Sequence, residues 1–244
     1  MAASFRDAVW LARDELRRTL PVLLATGGAT FLFGLILAFI FEGVYSNVAR
    51  GEHPSDFGLS LLLLVLVPNL LLNWFLGAYM SPWRDFFTQQ MAFYRSMPIP
   101  VRDLVRSRAM TMLVTLAFAA PVFFAPAYLV SGSLRAEVAV SDYLGFVLFW
   151  IGYALLAGGA HLCVELTISG RSMFAVQCVF VAGVFAALFV LYAGYQVPLA
   201  TSVMDLVRAY GPALPAASLL LGAAGFWVGA RVTGRRLARR DLSA

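Results

Sequence analysis

Leu20 to Phe41 reads L-P-V-L-L-A-T-G-G-A-T-F-L-F-G-L-I-L-A-F-I-F, a run with no charged residue. At 1.5 Å per helical residue it spans about 33 Å, enough to cross the roughly 30 Å hydrocarbon core of a bilayer. Its apolar residues do not alternate with polar ones, as a barrel strand would require, so the stretch predicts a helix whose backbone groups bond one another. Five more stretches of this kind follow, and the spans are expected near 20–41, 57–80, 109–130, 143–165, 172–195 and 212–232. The whole chain agrees with them: of 244 residues, 61% are hydrophobic and 13% charged. A soluble domain carries about 25% charge, and one of this length could not hide so much apolar surface. The expected fold is an all-α polytopic membrane protein with six transmembrane helices, forming one transmembrane domain over residues 1–244.

The basic residues narrow the function. All 18 are arginine. A phosphate-binding P-loop and Schiff-base chemistry both need a lysine, so neither belongs to this chain. No cofactor is expected on it, and nucleotide energy, if used, must come from another polypeptide. With the N-terminus inside, the inner segments carry fifteen arginines and the outer loops only Arg50, Arg135 and Arg208. That bias places both termini in the cytoplasm. The net charge of +5 is read as a topology signal, with no nucleic-acid partner implied. Lysine-free usage points to a high-GC bacterial source and hence to the inner membrane. About 19 residues precede the first long run, more than the n-region of a cleaved signal peptide holds. Cys163 and Cys178 sit in apolar runs and read as small hydrophobes; a zinc site would need about four ligands.

Residues 42–56 and 131–142 are short outer connections, and three other segments carry more information. Residues 4–18 contain no proline or glycine, and Phe5, Val9, Ala12 and Leu16 share a helical face beside a stripe of Arg6, Arg13 and Arg17. This predicts an interfacial helix, with Pro21 opening the first span, although a merely solvated charged leader has the same composition. Residues 195–211 mix Val197, Leu199, Val203, Leu206 and Val207 with Pro198, Asp205 and Arg208, which predicts a re-entrant outer element backing onto span six.

The third segment, Trp83 to Arg108, reads W-R-D-F-F-T-Q-Q-M-A-F-Y-R-S-M-P-I-P-V-R-D-L-V-R-S-R and falls on the cytoplasmic side between spans two and three. A helix continuing span two should stop before Pro98, and Pro100 should open a new short helix with Asp103 near its positive end. The stretch from Arg95 to Arg108, R-S-M-P-I-P-V-R-D-L-V-R-S-R, resembles one in the permeases of type-2 ATP-binding-cassette exporters. Those proteins often carry L-R-S-L-P-[IV]-S-R-R-[ED]-L-V-x-[AS]-[KR] at this place. The similarity extends to the layout: an interfacial N-terminal helix, six spans, a hairpin after span two and a re-entrant element before span six. It implies that the hairpin, 83–108, is a coupling element docking into a separate ATPase subunit, through Arg95, Ser96, Pro98, Ile99, Arg102, Asp103, Leu104 and Arg108. It also implies a smaller second contact in the turn after span four, with Glu165 and Arg171 as candidates. Pro100 stands where a small polar residue is common, and Gln89 and Gln90 where many relatives have glutamate.

Polar groups inside the spans are few. Asn69 and Asn73 lie four apart beside Pro68, which frees a carbonyl; they line a substrate path or form an interhelical hydrogen-bonded pair. His161 and Glu165 also lie four apart, as an acid–base pair or a plain helix-end pair in which Glu165 meets Arg171. His53, the other histidine, falls in an outer loop, so no metal site is expected. Ser218, Gly222, Gly225 and Gly229 give span six a small-residue face, for packing within the subunit or against a dimer mate. Arg235, Arg236, Arg239 and Arg240 are expected to hold anionic lipid.

These readings converge on a permease subunit without enzyme activity of its own, dimeric with itself or a second permease. Separate ATPase subunits would hold the ATP and Mg, and the substrate would be amphipathic or lipid-like. Two other classes are open at this stage: an intramembrane enzyme using His161 and Glu165, and a structural subunit of another membrane complex.

Overall fold

The computed structural model describes residues 5–51, 56–72, 99–168, 170–195 and 197–239, the side chains of 5, 6, 170 and 171 excepted. In chain order the described helices are α1 (Phe5–Ala49), α2 (Phe57–Asn69), α3 (Val101–Val130), α4 (Gly132–Glu137), α5 (Val140–Thr167), α6 (Gly170–Val190), α7 (Leu199–Tyr210) and α8 (Ala213–Arg239). A single wider turn of π-helix, Leu191–Tyr195, extends α6. Among the described residues, five helices are long and apolar enough to cross a membrane, namely α1, α3, α5, α6 with its π-turn, and α8. The protein is a helical membrane protein. The expected second span corresponds in part to α2, an apolar helix that ends at Asn69 and passes into a turn over 70–72; the rest of that span lies outside the described residues, as do residues 83–98 of the hairpin.

Two differences from the sequence reading concern helix ends. First, α1 is one helix from Phe5 to Ala49 and runs through Pro21. At about 67 Å it is twice the bilayer core, so its leading turns are a rigid extension of the span rather than a separate helix. Pro21 removes only the donor for the Arg17 carbonyl, a loss a packed helix tolerates. The face turned inward carries Ala8, Ala12 and Glu15, offset from Val9, which is exposed. Second, α3 starts at Val101 and continues unbroken to Val130, so the helix expected to open at Pro100 and the third span are one helix. Pro100 is its N-cap, in extended conformation, as expected of a proline at a helix start.

The helices pack in two close pairs, α1 along α3 and α5 along α8. Small residues set both distances. A Cβ on Gly34 of α1 would strike the Phe123 carbonyl of α3, and one on Gly27 would meet the Phe118 ring at 2.8 Å. Along α5 and α8, Gly152 faces Ser218 and Gly222, and Gly159 faces Gly225 and Gly229, with backbone against backbone. The small-residue face of α8 is thus used within the chain. Without a hydrophobic drive between helices in lipid, such close van der Waals contact is what holds them together. Between the pairs, an aromatic cluster of Phe41, Tyr143, Phe146 and Trp150 fills the core. The Tyr143 hydroxyl donates to the Phe124 carbonyl at 2.7 Å, which satisfies its polar end.

The segment expected to re-enter the membrane is helical. α7 buries Ala200, Val203, Met204 and Val207 and exposes Asp205, Leu206 and Arg208, an amphipathic pattern. Gly211, at φ 57, ends it with a backbone conformation that residues carrying a Cβ rarely adopt.

Candidate functional site

At the arginine-rich end, three helix termini meet around one guanidinium. Arg108, two turns into α3, places Nη1 2.8 Å from Glu15 Oε1 of α1 and Nε 2.6 Å from Glu165 Oε1 of α5. Thr111, one turn further along α3, donates to Glu15 Oε2 at 3.3 Å. The side chains of Arg108 and Glu165 are only 9% and 2% exposed, and that of Glu15 17%. Arginine suits this place because its planar fork stays charged and presents donors in two directions. The local sequence explains the aim of each group. In α3, Leu104, Ser107, Arg108 and Thr111 fall on one face at spacings of three and four and are all buried. Glu165 is the lone acidic residue in the last two turns of α5, and it too faces inward.

The remaining hairpin residues divide. Arg95, Ser96, Pro98 and the glutamines Gln89 and Gln90 lie outside the described residues. Ile99 is half-buried and Arg102 exposed. Asp103 and Leu104 are buried, and the Asp103 carboxylate has Arg106 as an ionic neighbour at 3.7 Å. Arg108, Asp103 and Leu104 are therefore turned into the chain, whereas Arg102 and the half-exposed Arg106 present charge to the outside. Glu165 meets Arg108, and its expected meeting with Arg171 falls outside what is described. The Arg171 side chain lies outside what is described. His161 shares the helix with Glu165, but the Glu165 carboxylate is committed to the α3 arginine. Among the described residues, no three His, Cys, Asp or Glu side chains gather as metal ligands would.

A second polar group lies deeper, between α2, α5 and α6. Pro68 has no N–H to give the Leu64 carbonyl four residues back, and the Tyr153 hydroxyl of α5 donates to that carbonyl at 3.0 Å. Asn69 donates to the Val65 carbonyl at 2.6 Å and accepts from Gln177 Nε2 of α6 at 3.2 Å. Asn73, the expected companion of Asn69, lies outside the described residues. The partners found here, Tyr153 and Gln177, carry no motif. The only sequence signal was that each is a hydrogen-bonding side chain in an otherwise apolar span, a costly placement unless it is used.

At the end of α8, Arg231 lies over the Trp227 ring, 3.6 Å from its centre, and Arg235, Arg236 and Arg239 are exposed. Comparison with known proteins adds no further constraint: no protein-family model, curated protein or solved structure matches this chain.

Proposed function

We propose that this chain is the membrane subunit of an exporter driven by a separate ATP-binding-cassette ATPase, which would grip the cytoplasmic hairpin after span two. One observation carries the reading. The residue that closes the hairpin motif, Arg108, is bonded to both α1 and α5. A displacement of the hairpin would therefore pull on three helices at once, as a coupling element must. Docking would fall to the exposed Arg102 and Arg106 and to the hairpin itself, while Arg108, Asp103 and Leu104 transmit the movement inward.

In this mechanism ATP closes the ATPase pair and shifts the hairpin, and the helices change from one set of contacts to another. A single chain of this size makes a poor conduit, so the path would lie between two permeases. The Asn69–Gln177 pair marks the polar contact between spans two and five that such a path would use. The sparse polar groups of the spans favour an amphipathic or lipid-like substrate.

The test is purification of the tagged chain from its native host in mild detergent, with and without Pro98→Ala plus Arg102→Glu. The expected result is a lysine-containing P-loop ATPase that co-purifies and is lost in the double variant. A chain that comes alone, or with a partner lacking a nucleotide site, would overturn the proposal.

A further inference from the structure

At the end of α2 opposite the charge node, one carboxylate joins three elements. Asp56, fully buried, precedes α2. Its Oδ1 accepts from Ser60 Oγ at 3.2 Å and from the Tyr192 hydroxyl at 3.0 Å. Its Oδ2 accepts from the Thr201 backbone N–H at 2.8 Å and from Thr201 Oγ1 at 3.1 Å. The Asp56 backbone N–H donates in turn to the Tyr192 hydroxyl. All four lone-pair positions of the carboxylate are therefore used.

These bonds replace something α7 lacks. A helix usually has its second or third N–H capped by its own N-cap side chain. The N-cap of α7 is Pro198, which has no side-chain acceptor. Both amides are capped from α2 instead, Ala200 N–H by Ser60 Oγ at 3.1 Å and Thr201 N–H by Asp56. The first turn of α7 thus depends on α2 for its satisfied backbone. Its other end is held separately, by Arg208 against Asp142 at 3.7 Å and against the Glu137 carbonyl.

α6 depends on the same carboxylate. Among its described side chains only Leu188 is buried, so most of its length is open to the surroundings. It is held near this end by the Tyr192 hydroxyl and by Phe57, whose ring meets Phe185 and Tyr192 edge-on at 5.7 and 5.5 Å. Tyr192 itself stands in the π-turn Leu191–Tyr195, a helical defect of the kind found where a helix changes direction.

We propose that Asp56 is the node of a latch: it clamps the end of α6 and the start of α7 to α2, and its release frees both together, with the π-turn as the hinge. The latch needs no partner protein and is independent of the exporter reading.

Hydrogen exchange on the full chain in lipid nanodiscs tests it. In Asp56→Ala, exchange in 191–195 and in 199–203 should both rise by at least about tenfold, since each loses a bond to a charged acceptor. Exchange within α3 and α5 should stay within about threefold of the parent, because distant sites respond independently. Tyr192→Phe removes one arm and keeps the fold, so it decides the matter should Asp56→Ala not assemble. It should speed 191–195 and leave 199–203 unchanged. The proposal is overturned if Asp56→Ala moves only one of the two segments or neither, or loosens α3 and α5 equally. It is also overturned if Tyr192→Phe changes nothing in 191–195.

Discussion

Replacing Arg108 by leucine should be among the most damaging single changes in this chain, and its size follows from the node. The substitution removes the guanidinium lying between Glu15 and Glu165 and leaves both carboxylates behind. Glu165 is 2% exposed and its contact with Arg108 is 2.6 Å, so it cannot recover hydration. Breaking one side of such a buried pair costs about 3–5 kcal/mol. Glu15, at 17% exposed, keeps some access to water, so its share is smaller, about 1 kcal/mol. Glu165→Gln should therefore cost several times more than Glu15→Gln. Arg108→Lys should fall between parent and leucine, because an ammonium cannot present the two-sided fork. The measurement is detergent unfolding followed by tryptophan fluorescence on the single variants and on the Arg108/Glu165 and Arg108/Glu15 pairs. Coupling of about 0.5–3 kcal/mol is expected for the first pair and less for the second. Replacing all three residues with methionine or leucine should restore much of the stability while abolishing the coupling. An Arg108→Leu variant within about 0.5 kcal/mol of the parent, the range of ordinary surface changes, would refute the reasoning.

Other outcomes follow from the packing. Tyr153→Phe should cost about 0.6–2 kcal/mol by leaving the Leu64 carbonyl without its donor, and the cost should disappear in a Pro68→Ala background, where the helix supplies its own N–H; unfolding of the two singles and the double checks this. Gln177→Leu should destabilise by about 1 kcal/mol, and the double change with Asn69→Leu should cost less than the two singles together, since neither amide is left facing an apolar side chain. Gly222→Leu should lower the yield of folded protein and cost about 1–3 kcal/mol, because its Cβ would enter the Gly152 backbone, whereas Gly183→Ala, with nothing within 4 Å of a Cβ, should be tolerated; thermal stability in detergent separates them.

Much of the architecture was legible because lipid imposes a local rule. A backbone in hydrocarbon must bond to itself, so a long charge-free run such as Leu20–Phe41 means a helix whatever surrounds it. Helix ends were read less well. Pro21 and Pro100 look alike in sequence, yet the first is carried inside α1 and the second caps α3. The difference lies in what packs around each, which no local window contains. The small face of α8 was visible as Gly222, Gly225 and Gly229, but its partner was not, since a glycine seam fits a neighbour in the same chain or in another.

Residue types and spacing by themselves determined that the chain is a helical membrane protein, where its apolar runs lie and which few polar side chains demand an explanation, because hydropathy acts residue by residue. Only the tertiary structure decided which of those side chains meet. Glu15, Arg108 and Glu165 are far apart in sequence and come together because α1 packs along α3 and α3 lies against α5. Asp56 reaches Tyr192 and Thr201 because α2 lies against α6 and α7. Partners are set by packing geometry, and a buried charge is bound by whatever that geometry brings within about 3 Å.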